Sequence, residues 1–221
     1  VYVVYFFAAR AGYDELFADL GLWPRAVITL PAFWQPVTYM FLHSPFGFTH
    51  ILLNMLMLWM FGADLEREWG TWRFLQYYFL CGVGAAVCVI VVALLSGNLD
   101  RFTIGSSGAI YGLLLAFGVL YAERVVLFFF LFPMKAKYFV MICGAIAFLG
   151  SFGAAGDGVS HVAHLGGMAF GLAYLKRRKL ARSPWRPLEN RYQAWKMRRA
   201  RKKFEIYVRR NDAAQRDRWT H

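Results

Sequence analysis

The chain has 221 residues, of which 59% are hydrophobic, 19% aromatic and only 17% charged. Globular domains carry about a quarter charged residues, so this composition excludes a disordered chain and a disulfide-framed scaffold and argues against a soluble enzyme. Residues 1–175 hold 8 Lys/Arg against 9 Asp/Glu, whereas residues 176–221 hold 17 against 4, so the formal net charge of +12 lies in a basic tail behind a nearly neutral region.

Along the chain, Val1 to Ala9 is apolar but too short for a bilayer that needs roughly 20 residues. It is read as the end of a first transmembrane helix whose beginning lies outside this sequence; the basic flank that a signal peptide would show is missing. Residues 10–47 mix aromatics with Pro24, Pro31 and Pro36, which exclude one continuous spanning helix and suit a long, partly embedded loop. Five apolar runs follow, at about 49–63, 74–96, 105–122, 138–155 and 159–175. Together with the first, they predict an all-α polytopic membrane protein of six spans. A β-barrel would need alternating strands of about ten residues. Cys81, Cys88 and Cys143 all lie in the apolar runs, which speaks against structural disulfides.

Lys and Arg set the orientation. With the tail inside, the inner segments collect Arg67, Arg73, Arg124, Lys135, Lys137 and the tail's 17, against Arg10, Arg25 and Arg101 outside. The outer loops are then 10–48, 97–104 and 156–158.

Polar side chains inside apolar helices are costly unless they are paired or functional. Here they form three groups: His50 with Asn54, Ser106 with Ser107, and His161 with His164. The orientation puts all three at the outer ends of their spans. Gly108, Gly112 and Ala116 make a small-residue stripe on the fourth span, and Gly167 and Gly171 make one on the sixth. Such stripes let helix backbones approach closely in lipid. If the two stripes face each other, Ser107 and His164 come within hydrogen-bonding reach. A serine needs an adjacent base to become a nucleophile. Asn54, His50 and the backbone N–H groups at the start of the fourth span could then hold an oxyanion.

These motifs, in this order, resemble the rhomboid intramembrane serine proteases. The matching residues are Trp34 to His43, His50-xxx-Asn54, Glu66 with Gly70, Gly105-x-Ser107-Gly108, Tyr111, and His164-x-x-Gly167 with Gly171. The resemblance covers about residues 1–175. It implies a rhomboid fold and a Ser107–His164 dyad, with Ser107 rather than Ser106 as nucleophile. It also implies Tyr111 stacked against the base, oxyanion support from His50 and Asn54, and close packing at Gly105, Gly108, Gly112, Gly167 and Gly171. The implied substrates are transmembrane segments of other proteins, with a small residue at the cleavage site. No metal or organic cofactor is implied. Relatives often carry Gly four residues after the aromatic, where this chain has Leu115. Asp157, in the outer loop before His164, is the one carboxylate that could be proposed as a third member.

Two other readings stay open from the residues. One is a non-catalytic membrane protein that binds transmembrane clients. The other is a metal or haem site of His43, His50, His161 and His164. In the tail, Trp185, Tyr192, Trp195, Phe204, Tyr207 and Trp219 stand among the basic residues. They suit an interfacial helix over 187–210 against anionic lipid; the alternative is a nucleic-acid or partner-binding arm, with nucleic acid not expected. The expected location is multi-pass in a bacterial inner membrane, with the site facing outward and the tail in the cytoplasm.

Overall fold

The computed structural model describes residues 1–13, 15–45, 48–128, 131–151 and 161–180. The outer loop 156–158 with Asp157, and the interfacial helix expected over 187–210, lie outside them. All packing given below belongs to the compact unit Val1–Lys176.

Helix α1 (Tyr2–Arg10) is followed by three short helices, α2 (Glu15–Ala18), α3 (Pro24–Thr29) and α4 (Gln35–Thr38), and a 3-10 turn at Tyr39–Phe41. Pro24 and Pro36 stand in the first turns of α3 and α4, where the missing N–H costs nothing. Helix α5 (Phe48–Met57) runs through a π turn at Leu58–Gly62 into α6 (Ala63–Trp69). The helix therefore continues well past the expected end near residue 63. It stops at Gly70, whose φ of +79° only glycine adopts readily.

Helix α7 (Thr71–Ser96) has 26 residues, or about 39 Å at 1.5 Å per residue, more than a hydrocarbon core of ~30 Å. It and the continuous Phe48–Trp69 helix are the two that are long and apolar enough to cross a membrane among the described residues. Helices α8 (Ser107–Leu120) and α9 (Ala136–Gly150) are apolar but shorter, and α10 spans His161–Leu180.

The all-α expectation needs one correction. Residues 123–137 are not a plain connection. Strands β1 (Val125–Phe128) and β2 (Phe132–Lys135) form an antiparallel hairpin, pairing Val125 with Lys135 and Leu127 with Pro133. Adjacent β-branched Val125 and Val126, then aromatics, favour strand over helix, and Pro133 blocks a helix outright.

Helix α8 is buried nearly all round, from Gly108 to Gly118, and contributes to every core cluster. In lipid, apolar burial gives little driving force, so cohesion comes from close dispersion contacts between small residues. The α7–α8 seam illustrates this: a Cβ added at Gly108 would sit 2.5 Å from the Cβ of Ala85. Helix α5 is different. Only Asn54 is buried along it, while Phe48, Leu52, Leu53 and Met55 are exposed.

Candidate active site

The start of α8 is shaped by the segment before it. Leu22 and Thr103 form an antiparallel bridge, with N–H to O distances of 2.9 and 3.0 Å in the two directions. The Gly105 N–H then donates to the Tyr39 carbonyl at 2.9 Å. Tyr39 is itself fixed, its hydroxyl donating to the Gly82 carbonyl at 2.7 Å. Gly105 has φ +111°, which lets the chain turn sharply into α8. Ser106 is the N-cap residue and makes no side-chain cap, so the first N–H groups of α8 are not claimed by it.

Ser107 opens α8, half-buried, and His164 lies in the first turn of α10, 5% exposed. Their side chains meet, with Ser107 Oγ 2.9 Å from His164 Nε2. With Nε2 unprotonated, the hydroxyl donates to it. Tyr111 follows Ser107 by four residues on the same helix face. Its ring lies flat on the imidazole, with centroids 4.0 Å apart and planes within 3°. Among the described residues neither Ser107 nor His164 is hydrogen-bonded to a carboxylate, and His164 Nδ1 is buried with no partner.

On the other side of Ser107, the space an L side chain would take at Gly105 is filled by His50. A Cβ there would be 3.0 Å from His50 Cε1 and 3.9 Å from Asn54 Nδ2. Asn54 is 6% exposed, and its Nδ2 donor has no partner among the described residues. A buried amide donor left unpaired costs about 1–3 kcal/mol.

Ser106 points the other way, its Oγ lying 3.4 Å from Nε2 of His43, and both residues are buried. The His43 ring in turn stands 5.5 Å from that of His50, edge to face. Burial, and secondarily His50, push the His43 imidazole down to about 4, so it is neutral at neutral pH. His161 has its ring 5.9 Å from His164 and packs against Gly150. The four histidines thus fall into two pairs, and no group of three metal-ligating side chains forms among the described residues.

The glycines act at particular contacts. A Cβ at Gly112 would come within 3.1 Å of the Gly167 carbonyl, one at Gly108 within 3.1 Å of the Ala163 carbonyl, and one at Gly167 would overlap the Gly108 carbonyl. Helices α8 and α10 therefore touch backbone to backbone beside Ser107 and His164. Gly171 differs from the expected stripe and faces α7, where a Cβ would meet the Tyr77 hydroxyl and Cys81 Sγ. Tyr77 donates to the Gly112 carbonyl at 2.7 Å and so wedges its ring between α8 and that part of α10. Sequence reasoning did not single out Tyr77, Thr103 or the role of Ser106, and it met Tyr39 only as one residue of the Trp34 to His43 motif. Each acts through a backbone group or a buried neighbour, and only the phenol or hydroxyl in an apolar setting hints at it.

The chain matches the Rhomboid domain family over residues 31–177, and it belongs to the rhomboid family. With that membership and its apolar helices, it is an integral membrane protein. Among similar proteins, "Rhomboid protease GluP" of Bacillus subtilis is 30% identical over 157 residues, 71% of this chain and 28% of that protein. "Rhomboid-type serine protease 2" of Emericella nidulans is 34% identical over 143 residues, 61% of this chain and 24% of its own length. "RHOMBOID-like protein 5" of Arabidopsis thaliana is 33% identical over 95 residues, 43% of this chain and 29% of its own length. The chain thus spans about a quarter of each of these relatives.

Proposed function

We propose that the chain is an intramembrane serine endopeptidase that cleaves peptide bonds in or near the transmembrane segments of other membrane proteins. The observation that carries this reading is the Ser107–His164 contact of 2.9 Å with Tyr111 stacked on the imidazole. Ser107 Oγ attacks the scissile carbonyl carbon while its proton passes to His164 Nε2. The tetrahedral oxyanion is held by Asn54 Nδ2, by His50 and by the Ser107 backbone N–H. On collapse the C–N bond breaks and His164 protonates the leaving amine. Water, deprotonated by the same imidazole, then hydrolyses the acyl-enzyme. Tyr111 takes the orienting role that a carboxylate has in a triad.

On this reading residues 1–175 form the membrane domain, with α1, α5–α6, α7, α8, α9 and α10 as its six passes. The distribution of Lys and Arg supports a cytoplasmic side for residues 176–221, with Ser107 toward the opposite side, as in a bacterial inner membrane. The substrate is a transmembrane segment that leaves its helix near a small residue, because a helical carbonyl is not open to attack.

The deciding experiment is labelling of the detergent-purified protein with a fluorophosphonate, with Ser107→Ala as control. Labelling of the wild type alone is the expected result. No labelling, with client binding intact, would leave a non-catalytic binding protein.

A further inference from the structure

The strongest unused feature lies at the other end of α8. A groove of about 430 Å³ opens between the α5–α6 helix and β1. Its walls include Trp59, Val125 and Leu127, which are 71%, 61% and 49% exposed. Side chains alternate along β1. Val126 packs on the core, and Val125 and Leu127 therefore present an apolar edge outward.

The charged rim of the groove is built from three residues. Asp64 accepts from Arg124 at 2.5 Å and from Arg67 at 3.3 Å. One carboxylate thus faces two guanidiniums, each with further N–H donors, on side chains that are 52% and 80% exposed. The nearby lysines, two ammoniums on one carboxylate, add a second surplus charge, and the carboxylate of Glu68, which accepts from Tyr121 beside Arg124, offsets it. Lys135 and Lys137 both donate to Glu123, holding its carboxyl down at about 2. The rim is therefore one positive charge in surplus, next to an apolar wall at the end of a membrane-crossing helix.

We infer that this groove binds one phospholipid with an anionic headgroup, its phosphate on Arg67 and Arg124 and an acyl chain along Trp59, Val125 and Leu127. Three observations favour lipid over another occupant. Two exposed guanidiniums match a phosphate oxygen fork. An exposed Trp beside them marks the level of the headgroups. An apolar strand edge of an integral membrane protein has acyl chains as its nearest partner. The inference goes beyond the proteolytic reading and does not rest on it: Ser107 lies a whole 14-residue helix away, about 21 Å.

The test is thermal unfolding of the full chain, delipidated in detergent. Dioleoyl phosphatidylglycerol, dioleoyl phosphatidylcholine and inorganic phosphate are titrated in separate series. Phosphatidylglycerol should raise the midpoint saturably, at a concentration about fivefold lower than phosphatidylcholine, the effect of one net positive charge near an anionic head. Arg67→Gln, at a mostly exposed side chain, should abolish that preference while leaving the lipid-free midpoint unchanged. Leu127→Ser should weaken both lipids. Equal protection by the two lipids, protection by inorganic phosphate alone, or an unaltered preference in Arg67→Gln would each overturn the proposal. So would stabilisation that follows protein concentration instead of lipid, which would assign the face to a second copy.

Discussion

The ring of Tyr111 lies parallel to that of His164 at 4.0 Å, so among the described residues the imidazole is met by a flat surface and not by an acceptor for its Nδ1 proton. The phenol oxygen is not what fixes the ring. Tyr111→Phe should keep most of the peptidase activity, whereas Tyr111→Ala should lower kcat by about 10²-fold, the usual effect of a catalytic group displaced by about 1 Å. Steady-state cleavage of a transmembrane substrate in detergent or proteoliposomes separates the two. Equal loss in both variants would show that the hydroxyl matters.

Ser106 and Ser107 are neighbours in sequence and opposites in space, one against His43 and the other against His164. Ser107→Ala should abolish cleavage, a loss on the order of 10⁶-fold for a serine-protease nucleophile. Ser106→Ala should retain substantial activity, because it deletes a long hydrogen bond of 3.4 Å. Turnover and covalent labelling of both variants are the readout. An active Ser107→Ala enzyme would end the dyad.

The Nδ2 of Asn54, unpaired among the described residues, gives a third expectation. Asn54→Ala should reduce kcat by roughly 10²–10³-fold with little change in KM, as when a soluble protease loses one oxyanion donor. Because the wild-type donor is already unsatisfied among the described residues, the variant should unfold no more easily. A higher KM at unchanged kcat would reassign Asn54 to substrate binding.

Gly167→Leu should lose both activity and stability, since even a Cβ there would overlap the Gly108 carbonyl. Overpacking costs about 1–3 kcal/mol and spreads the two backbones that carry Ser107 and His164. Leu115 behaves oppositely to a plain reading of its place among relatives that carry glycine. It is partly buried against the cluster of Phe61, Leu114 and Phe139. Leu115→Gly should therefore destabilise by about 1 kcal/mol for the helix alone, plus a cavity cost. Thermal unfolding beside activity measures both variants.

These cases also show what the sequence made legible. His50, Asn54, Ser107 and His164 stand out because each interrupts an apolar run at a helical spacing. The order of helices follows from the same hydropathy. The hairpin was missed because residues 123–137 read as a connection between two apolar runs, and their strand pairing is a tertiary choice. The direction of Gly171 was missed because a small-residue stripe has no preferred partner until a neighbour such as Tyr77 fills one side. The anchoring of Gly105 by Tyr39 is a backbone hydrogen bond, for which the identity of residue 39 leaves no trace.

The lopsided burial of α5 has one more consequence. His50 and Asn54 ride on a helix tied inward by a single buried residue, while Ser107 and His164 sit where two backbones interlock. The two halves of the site should therefore differ in stiffness. Amide hydrogens in the first turns of α5 should exchange with solvent deuterium far sooner than those of α8. On the proposed mechanism a small electrophile should need only the rigid half, whereas a polypeptide should wait for the soft half to settle around its carbonyl. Temperature and lipid tension would then tune peptide cleavage while leaving acylation by small inhibitors nearly untouched.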